Sequence, residues 1–172
     1  GGLTNGSTYN HYVRCADVNN NSNTNDFTIT FNVALPPSSF QNEIFVLGLN
    51  FPISIKFLPD GKMLIGELPG TIQLLRSGES QIDPTPFLAI TNMGTLGEQG
   101  LLDIVLDPNF AANRFFYVYY TAGTPNRNRI SRFTANASWT GASLGSEVVI
   151  WQDNVNASTG HHGGQMGFGP DG

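Results

Sequence analysis

Charged side chains are scarce in this sequence of 172 residues. Asp, Glu, Lys and Arg make up 12% of the residues, about half of the roughly 25% that is usual for a soluble domain. The 8 Lys and Arg residues form no cluster, and the net charge is -5 at pH 7. A nucleic-acid-binding surface needs a basic patch that neutralises phosphates. We therefore expect no nucleic-acid partner.

Cysteine and long apolar runs are also lacking. Because Cys15 is the single cysteine, no disulfide bond can form within the sequence. The longest mostly apolar stretch, residues 44–58, is interrupted by Asn50, Pro52 and Lys56. It falls short of the roughly 20 residues that cross a membrane, so we expect no membrane span. Low charge, scarce cysteine and frequent Asn, Ser and Thr favour a secreted, periplasmic or extracellular protein.

Turn-forming residues are abundant instead. The sequence contains 20 glycines and 10 prolines, and short runs of β-branched and aromatic residues lie between them. Glycine and proline favour tight turns, whereas β-branched and aromatic residues favour strands. The composition therefore predicts an all-β fold of short strands joined by many loops, and we identify no helix.

Residues 1–35 are predicted to form a hairpin. Two stretches, 9–15 and 27–33, alternate apolar and polar residues on either side of an Asn-rich loop, which is the pattern of two antiparallel strands. Two isolated strands are marginally stable in water. We therefore expect this hairpin to need partners that the sequence does not contain.

The hairpin resembles the last two strands of a fibronectin type III-like module. Leu3, Gly6 and Tyr9 have the spacing of the tyrosine corner found in such modules. The next residues, 36–39, contain two consecutive prolines and are predicted to be an extended linker.

From residue 40 to residue 172, a strand followed by a turn recurs. The turns contain Pro59, Pro108 and Pro170, at intervals of 49 and 62 residues. Such a unit, repeated every 40 to 60 residues or so, is typical of the blades of a β-propeller. The strands predicted around and between the turns are 53–57, 62–67, 71–75, 102–106, 115–121, 129–134, 148–152 and 166–168.

The number of repeats bears on the architecture. Two blades and the first hairpin of a third cannot close a ring, since a propeller typically has about 4 to 8 blades. We therefore expect the sequence to be an open sector that begins inside one domain, ends inside another and exposes apolar blade faces.

The most specific motifs lie in the second half of the sequence. They are GEQGLLDIVLDPNF at 97–110, FYVYYT at 116–121, RISRF at 129–133 and HHGGQMGFGPDG at 161–172. Together with FLPDG at 57–61, they resemble the glucose/sorbosone dehydrogenase family over residues 40–172. The resemblance implies a six-bladed propeller that uses pyrroloquinoline quinone and calcium. It also implies hydride transfer from C1 of a small aldose sugar to the quinone, and an external electron acceptor.

The resemblance further implies roles for three residues. His161, nine positions before Pro170, matches the histidine that removes the proton from the anomeric hydroxyl of the sugar. A neutral imidazole that titrates near pH 6.5 suits that task. Glu98 and Gln99 match a turn that places a polar side chain near the cofactor. The family's calcium ligands and cationic quinone ligands lie in later blades, so we predict no metal ligand in this sequence.

Other interpretations remain open. His161 and His162 face opposite sides of an extended chain, so at most one of them reaches a given ligand. If the resemblance is set aside, the residues alone favour structural roles. His161 is then predicted to be a loop imidazole bonded to backbone, and Glu98 a turn residue that caps nearby amides. For the whole protein, the alternative to a sugar dehydrogenase is a non-catalytic propeller that binds a protein or a glycan. We expect the 172-residue piece alone to be inactive.

Overall fold

The computed structural model describes residues 2–4, 6–34 and 43–171. The chain divides into two compact units, residues 1–43 and 44–172. The predicted linker, residues 36–39, lies outside the described residues.

The first unit contains a two-stranded antiparallel hairpin. Strand β1 (Thr8–Val13) pairs with β2 (Phe27–Asn32). The ring of Phe31 lies between those of Tyr9 and His11, at centroid distances of 5.9 and 5.6 Å. The backbone N–H of Thr4 donates to the Tyr9 hydroxyl, a bond of the kind that a tyrosine corner makes. The fibronectin-like assignment stays a prediction, because two strands do not define a sandwich.

The second unit contains two four-stranded antiparallel sheets, each with its strands in chain order. The all-β class predicted from composition is confirmed. The first sheet consists of β3 (Pro52–Phe57), β4 (Met63–Glu67), β5 (Thr71–Leu75) and β6 (Leu88–Ala89). The second sheet consists of β7 (Leu101–Leu106), β8 (Phe115–Ala122), β9 (Arg127–Thr134) and β10 (Val148–Gln152).

Two short helices correct the expectation that the chain has none. Helix α1 (Phe110–Asn113) follows the turn at Pro108, and a 3₁₀ helix spans Leu144–Ser146. The Asp107 carboxylate holds the turn before α1 by accepting bonds from the Asn109 N–H and the Asn113 amide. Phe110 is buried, so tertiary packing stabilises a helix too short to form alone.

The predicted third hairpin also differs from expectation. Residues 166–168 form no strand, although a turn follows at Pro170. A strand needs a hydrogen-bonded neighbour, and no described strand pairs with this segment. It instead lies against the second sheet, where Phe168 makes an edge-to-face contact with Tyr117 at 5.4 Å.

The core lies between the two sheets. Phe116 contacts Phe87 at 5.5 Å and Phe133 at 5.7 Å, as measured between ring centroids. Gly66 allows close packing, because a Cβ there would lie 2.9 Å from a methyl carbon of Leu101. Fully burying an aliphatic or aromatic side chain contributes about 1.5–3 kcal/mol. The other core side chains come from both sheets and include Leu64, Ile72, Leu74, Ile104 and Val118.

The outer faces of both sheets carry exposed apolar side chains. Ile53, Ile55 and Phe57 alternate along the exposed side of β3, and every residue of β10 is exposed. Exposed apolar surface of this kind is expected where a neighbouring blade would pack.

Candidate active site

His161 lies in the loop that follows β10. Its backbone adopts a left-handed conformation with φ of 63°, and its side chain is exposed. The His161 N–H donates to the Glu98 carboxylate at 2.7 Å, across 63 residues of sequence. Two of the predicted site residues are therefore in direct contact.

The turn that contains Glu98 is bonded to the same loop by its backbone. The Glu98 N–H donates to the carbonyl oxygen of Thr159 at 2.8 Å. The preceding residue, Gly97, has φ of 62°, and a Cβ there would lie 2.1 Å from that same oxygen. Only glycine therefore allows this close approach of the two segments.

The buried side chain of Gln99 binds the backbone of the loop that carries His161. It is 2% exposed, and its amide nitrogen donates to the Ser158 carbonyl at 2.6 Å. Its amide oxygen accepts from the Leu96 N–H at 3.2 Å. The Gln99 amide is thus bonded to backbone on both sides, and the direct cofactor contact predicted for it stays a prediction that this geometry does not favour.

Whereas His161 is exposed, His162 is buried. It is 7% exposed, and its Nδ1 lies 2.9 Å from the side-chain oxygen of Asn128. The Tyr119 hydroxyl donates to the His162 carbonyl at 2.6 Å. Burial, and secondarily the charge of Asp153, raises the pKa of Tyr119, which keeps this phenol protonated as a donor.

Open space adjoins His161 on its C-terminal side. A Cβ placed on either Gly163 or Gly164 would meet no atom within 4 Å. The loop therefore presents an exposed imidazole beside a stretch of backbone without side chains. That arrangement can take a proton from a bound molecule and leaves room for a flat group alongside.

Asp103 is a buried carboxylate that the sequence analysis did not single out. It is 5% exposed and accepts from the Ser54 hydroxyl at 2.7 Å and from the Met166 N–H at 2.7 Å. The Lys56 ammonium lies 3.2 Å away. Asp103 thus links β3, β7 and the segment after the His161 loop. Asp103 lies five residues before Pro108, just as Ser54 lies five residues before Pro59. This equivalent position in the repeat is the sequence signal that would have identified Asp103.

Within the part of the chain that the structure describes, no group of three or more His, Cys, Asp or Glu side chains is placed to hold a metal ion. In that same part, no helix has the length and apolar character needed to span a bilayer.

Comparisons with known proteins give a consistent family and fold. Residues 49–172 match the sequence profile of the Glucose / Sorbosone dehydrogenase family. An uncharacterized protein of Synechocystis is 35% identical over 133 residues, which are 72% of this chain and 31% of that protein.

Solved structures of sugar dehydrogenases resemble the chain as well. An aldose sugar dehydrogenase from Streptomyces coelicolor, solved with PQQ bound, is 27% identical. The match covers 80% of this chain and 41% of that one, with a TM-score of 0.66. An oxidoreductase from Thermus thermophilus described as a glucose dehydrogenase is 33% identical, with 75% and 37% covered and a TM-score of 0.63.

These likenesses confirm the predicted partial β-propeller. The two four-stranded sheets correspond to propeller blades, and the chain spans 31% to 41% of the length of the proteins it matches. An incomplete ring is therefore the expected architecture.

Proposed function

The chain belongs to the glucose/sorbosone dehydrogenase family, and on that premise we propose that the full-length protein oxidises an aldose sugar at C1. His161 is the general base in this proposal, and pyrroloquinoline quinone is the electron acceptor. The observation that carries the proposal is the exposed position of the His161 side chain beside Glu98. Its imidazole is exposed while the Glu98 carboxylate fixes its backbone N–H.

The surroundings of His161 fit the quinone. The space beside Gly163 and Gly164 is free of side chains, so a planar tricyclic group can approach the backbone without a clash. Glu98 lies beside the same loop, since its carboxylate oxygen would be 3.5 Å from a Cβ on Gly160. The Streptomyces coelicolor relative was solved in its PQQ-bound form. When bound, the quinone would supply a two-electron acceptor for the hydride that leaves C1.

His161 supplies the other half of the oxidation. The proton of the anomeric hydroxyl passes to the imidazole as the C1–H bond breaks, and the C1–O bond becomes a carbonyl. A neutral imidazole is suited to this role near neutral pH. Because Glu98 binds the backbone of His161 and not its ring, the ring nitrogens stay free to meet the substrate.

Further parts of the proposal lie outside the described residues. We place calcium, the cationic ligands of the quinone and the site for the external electron acceptor in the remaining blades of the full-length protein. We also propose that the protein is secreted or periplasmic, and that the 172-residue piece alone is inactive because it has only part of the ring. The alternative, a non-catalytic binding propeller, is not favoured by solved relatives that are sugar dehydrogenases.

The test is the variant His161→Ala in the full-length protein reconstituted with quinone and calcium. Loss of a general base lowers turnover by about 100- to 10,000-fold. His11→Ala is the matched control, because His11 is an exposed histidine on the hairpin of the first unit, and it should leave turnover unchanged. Quinone absorbance counts the loaded sites in each variant. Wild-type turnover per loaded site in His161→Ala would end the assignment.

A further inference from the structure

We propose that His162 is a positioning residue whose buried ring fixes the backbone that displays His161. This inference rests on the proposed function of His161. It assigns the second histidine of the pair a defined role, distinct from that of a base.

The single hydrogen bond that the His162 ring makes among the described residues, at Nδ1, indicates its tautomer. The side-chain oxygen of Asn128 lies 2.9 Å from Nδ1 and also accepts from the Thr121 hydroxyl at 3.3 Å. A carbonyl oxygen can only accept, so the proton of the neutral ring is on Nδ1. The other nitrogen, Nε2, is buried without a partner among the described residues.

The partners of His162 belong to the rigid second sheet. Tyr119 and Thr121 lie on β8, and Asn128 lies on β9 directly opposite Thr121. The Asn128 N–H also donates to the Asp153 carboxylate at 3.3 Å. Because the ring of His162 bonds to β9 and its carbonyl accepts from β8, the residue is fixed to the sheet at two points.

This double attachment acts on His161 through the peptide bond between them. A non-glycine residue with positive φ is strained, and such a conformation persists where the surroundings over-determine it. At His161, Glu98 holds the N–H on one side, and His162 holds the following peptide on the other. Both attachments are needed to keep the His161 backbone in the left-handed conformation from which its imidazole projects.

Other roles for His162 fit the geometry less well. Its ring is 7% exposed, so it is shielded from a substrate that meets the exposed His161 at the surface. It is also no part of a metal-binding group in the described part of the chain.

The experiment compares three substitutions of His162 in the full-length, quinone-loaded protein. Asparagine places an N–H donor where Nδ1 is, so His162→Asn should keep turnover within about 3-fold of wild type. His162→Gln places its amide at the position of Nε2 and His162→Leu has no donor. Both should lose about 10- to 100-fold in kcat, as expected for a displaced catalytic group, while KM changes by less than about 2-fold.

Two readouts separate positioning from loss of folded protein. Turnover is expressed per bound quinone, so a smaller fraction of folded protein does not lower the measured value. The acid limb of the kcat/KM profile should stay at the wild-type pH in all three variants, because His161 remains the base. Independently of activity, ¹⁵N imidazole spectra of the wild-type protein, assigned with His162→Asn, should show the His162 proton on Nδ1.

The outcomes distinguish this inference from the proposed function. If His161→Ala loses turnover while His162→Gln and His162→Leu keep it per loaded site, the positioning role is refuted and the general base stands. A proton on Nε2 of His162, or an acid limb that disappears in the His162 variants, also refutes it. If His161→Ala keeps full turnover, the proposed function itself fails.

Discussion

The two sheets of the second unit share a strand order but differ in the loops that enter their innermost strands. The segment before β3 ends at Phe51, which is exposed and has φ of 50°. That segment contains none of the predicted site residues. The turn before β7 carries Gly97 and Glu98 and is bonded to the loop that displays His161. The strand order therefore repeats, whereas the contacts among the predicted site residues are made by the turn before β7 and the loop after β10.

A second difference between the sheets lies inside the inner strands. Ser54 on β3 and Asp103 on β7 occupy the same position relative to their turn prolines, and they are hydrogen-bonded to each other. Asp103 also reaches forward to the Met166 N–H. The carboxylate of Asp103 thus binds the strands on both sides, while the first sheet contributes the Ser54 hydroxyl and the Lys56 ammonium to it.

Among the changes that compare the two sheets and their loops, the largest effect should come from Gly97→Ala. The new Cβ would lie 2.1 Å from the Thr159 carbonyl oxygen, so the Glu98 turn and the His161 loop must separate. We expect turnover of the full-length protein to fall by about 100-fold, as for other displaced catalytic groups. Turnover per bound quinone is the measurement.

Gly78→Ala is the matched control for that change. Gly78 has a similar φ of 78°, but a Cβ there would meet no atom within 4 Å. The two variants therefore share the backbone strain and differ only in the clash. Equal losses in both would mean that the contact with Thr159 does not matter for activity.

Asp103→Ala should produce the next largest effect, on stability. The donors of Ser54 and Met166 would lose their acceptor, which costs about 1–3 kcal/mol for a buried donor, whereas the Lys56 side chain is 26% exposed and can be solvated without its partner. Asp83→Ala, in the loop between β5 and β6, is the control. Its partner Arg76 is 44% exposed, so we expect a loss of about 1 kcal/mol or less. Urea unfolding of the full-length protein measures both, and similar losses would contradict the distinction between the sheets.

The smallest effect should come from Tyr119→Phe. Burial raises the pKa of Tyr119 in the folded protein above its value of about 10 in the unfolded chain. Its contribution is therefore present below pH 10 and is lost as pH rises through the folded pKa. We expect the free energy of unfolding of Tyr119→Phe to be about 1 kcal/mol lower than that of wild type at pH 8. Between pH 9 and pH 11 it should fall less steeply with pH than the wild-type value.

Urea unfolding at a series of pH values tests this expectation. Tyr12→Phe is the control, since Tyr12 is 65% exposed on the hairpin of the first unit. A decline as steep in Tyr119→Phe as in wild type would show that the phenol is not linked to stability.

Local turn chemistry explains why most of the fold could be predicted from sequence. The turns at Pro59 and Pro108 lie where the repeat places them, and the strands around them agree to within about two residues. Helix α1 was missed because a four-residue helix depends on burial of Phe110 and on the Asp107 bonds, not on its own sequence. The strand at 166–168 was predicted from its pattern, but pairing is a property of neighbours that the pattern does not contain.

The site was predictable in part for a similar reason. The motifs identified Glu98, Gln99 and His161, and the structure brings all three to one place. Sequence could not divide their roles, because the division depends on burial: the Gln99 amide is enclosed and bonded to backbone, whereas Glu98 holds His161. The partners of Asp103 are 49 and 63 residues away in sequence, so its linking role required the fold.

The most direct test is a crystal structure of the full-length protein with reduced quinone and a bound aldose. The measured quantity is the distance from the nearer imidazole nitrogen of His161 to the anomeric oxygen of the sugar. We predict about 2.6–3.2 Å, the range over which a general base takes a proton, with the His161 N–H still bonded to Glu98. A sugar bound elsewhere, with that imidazole turned to solvent on the rim of the propeller, would contradict the account.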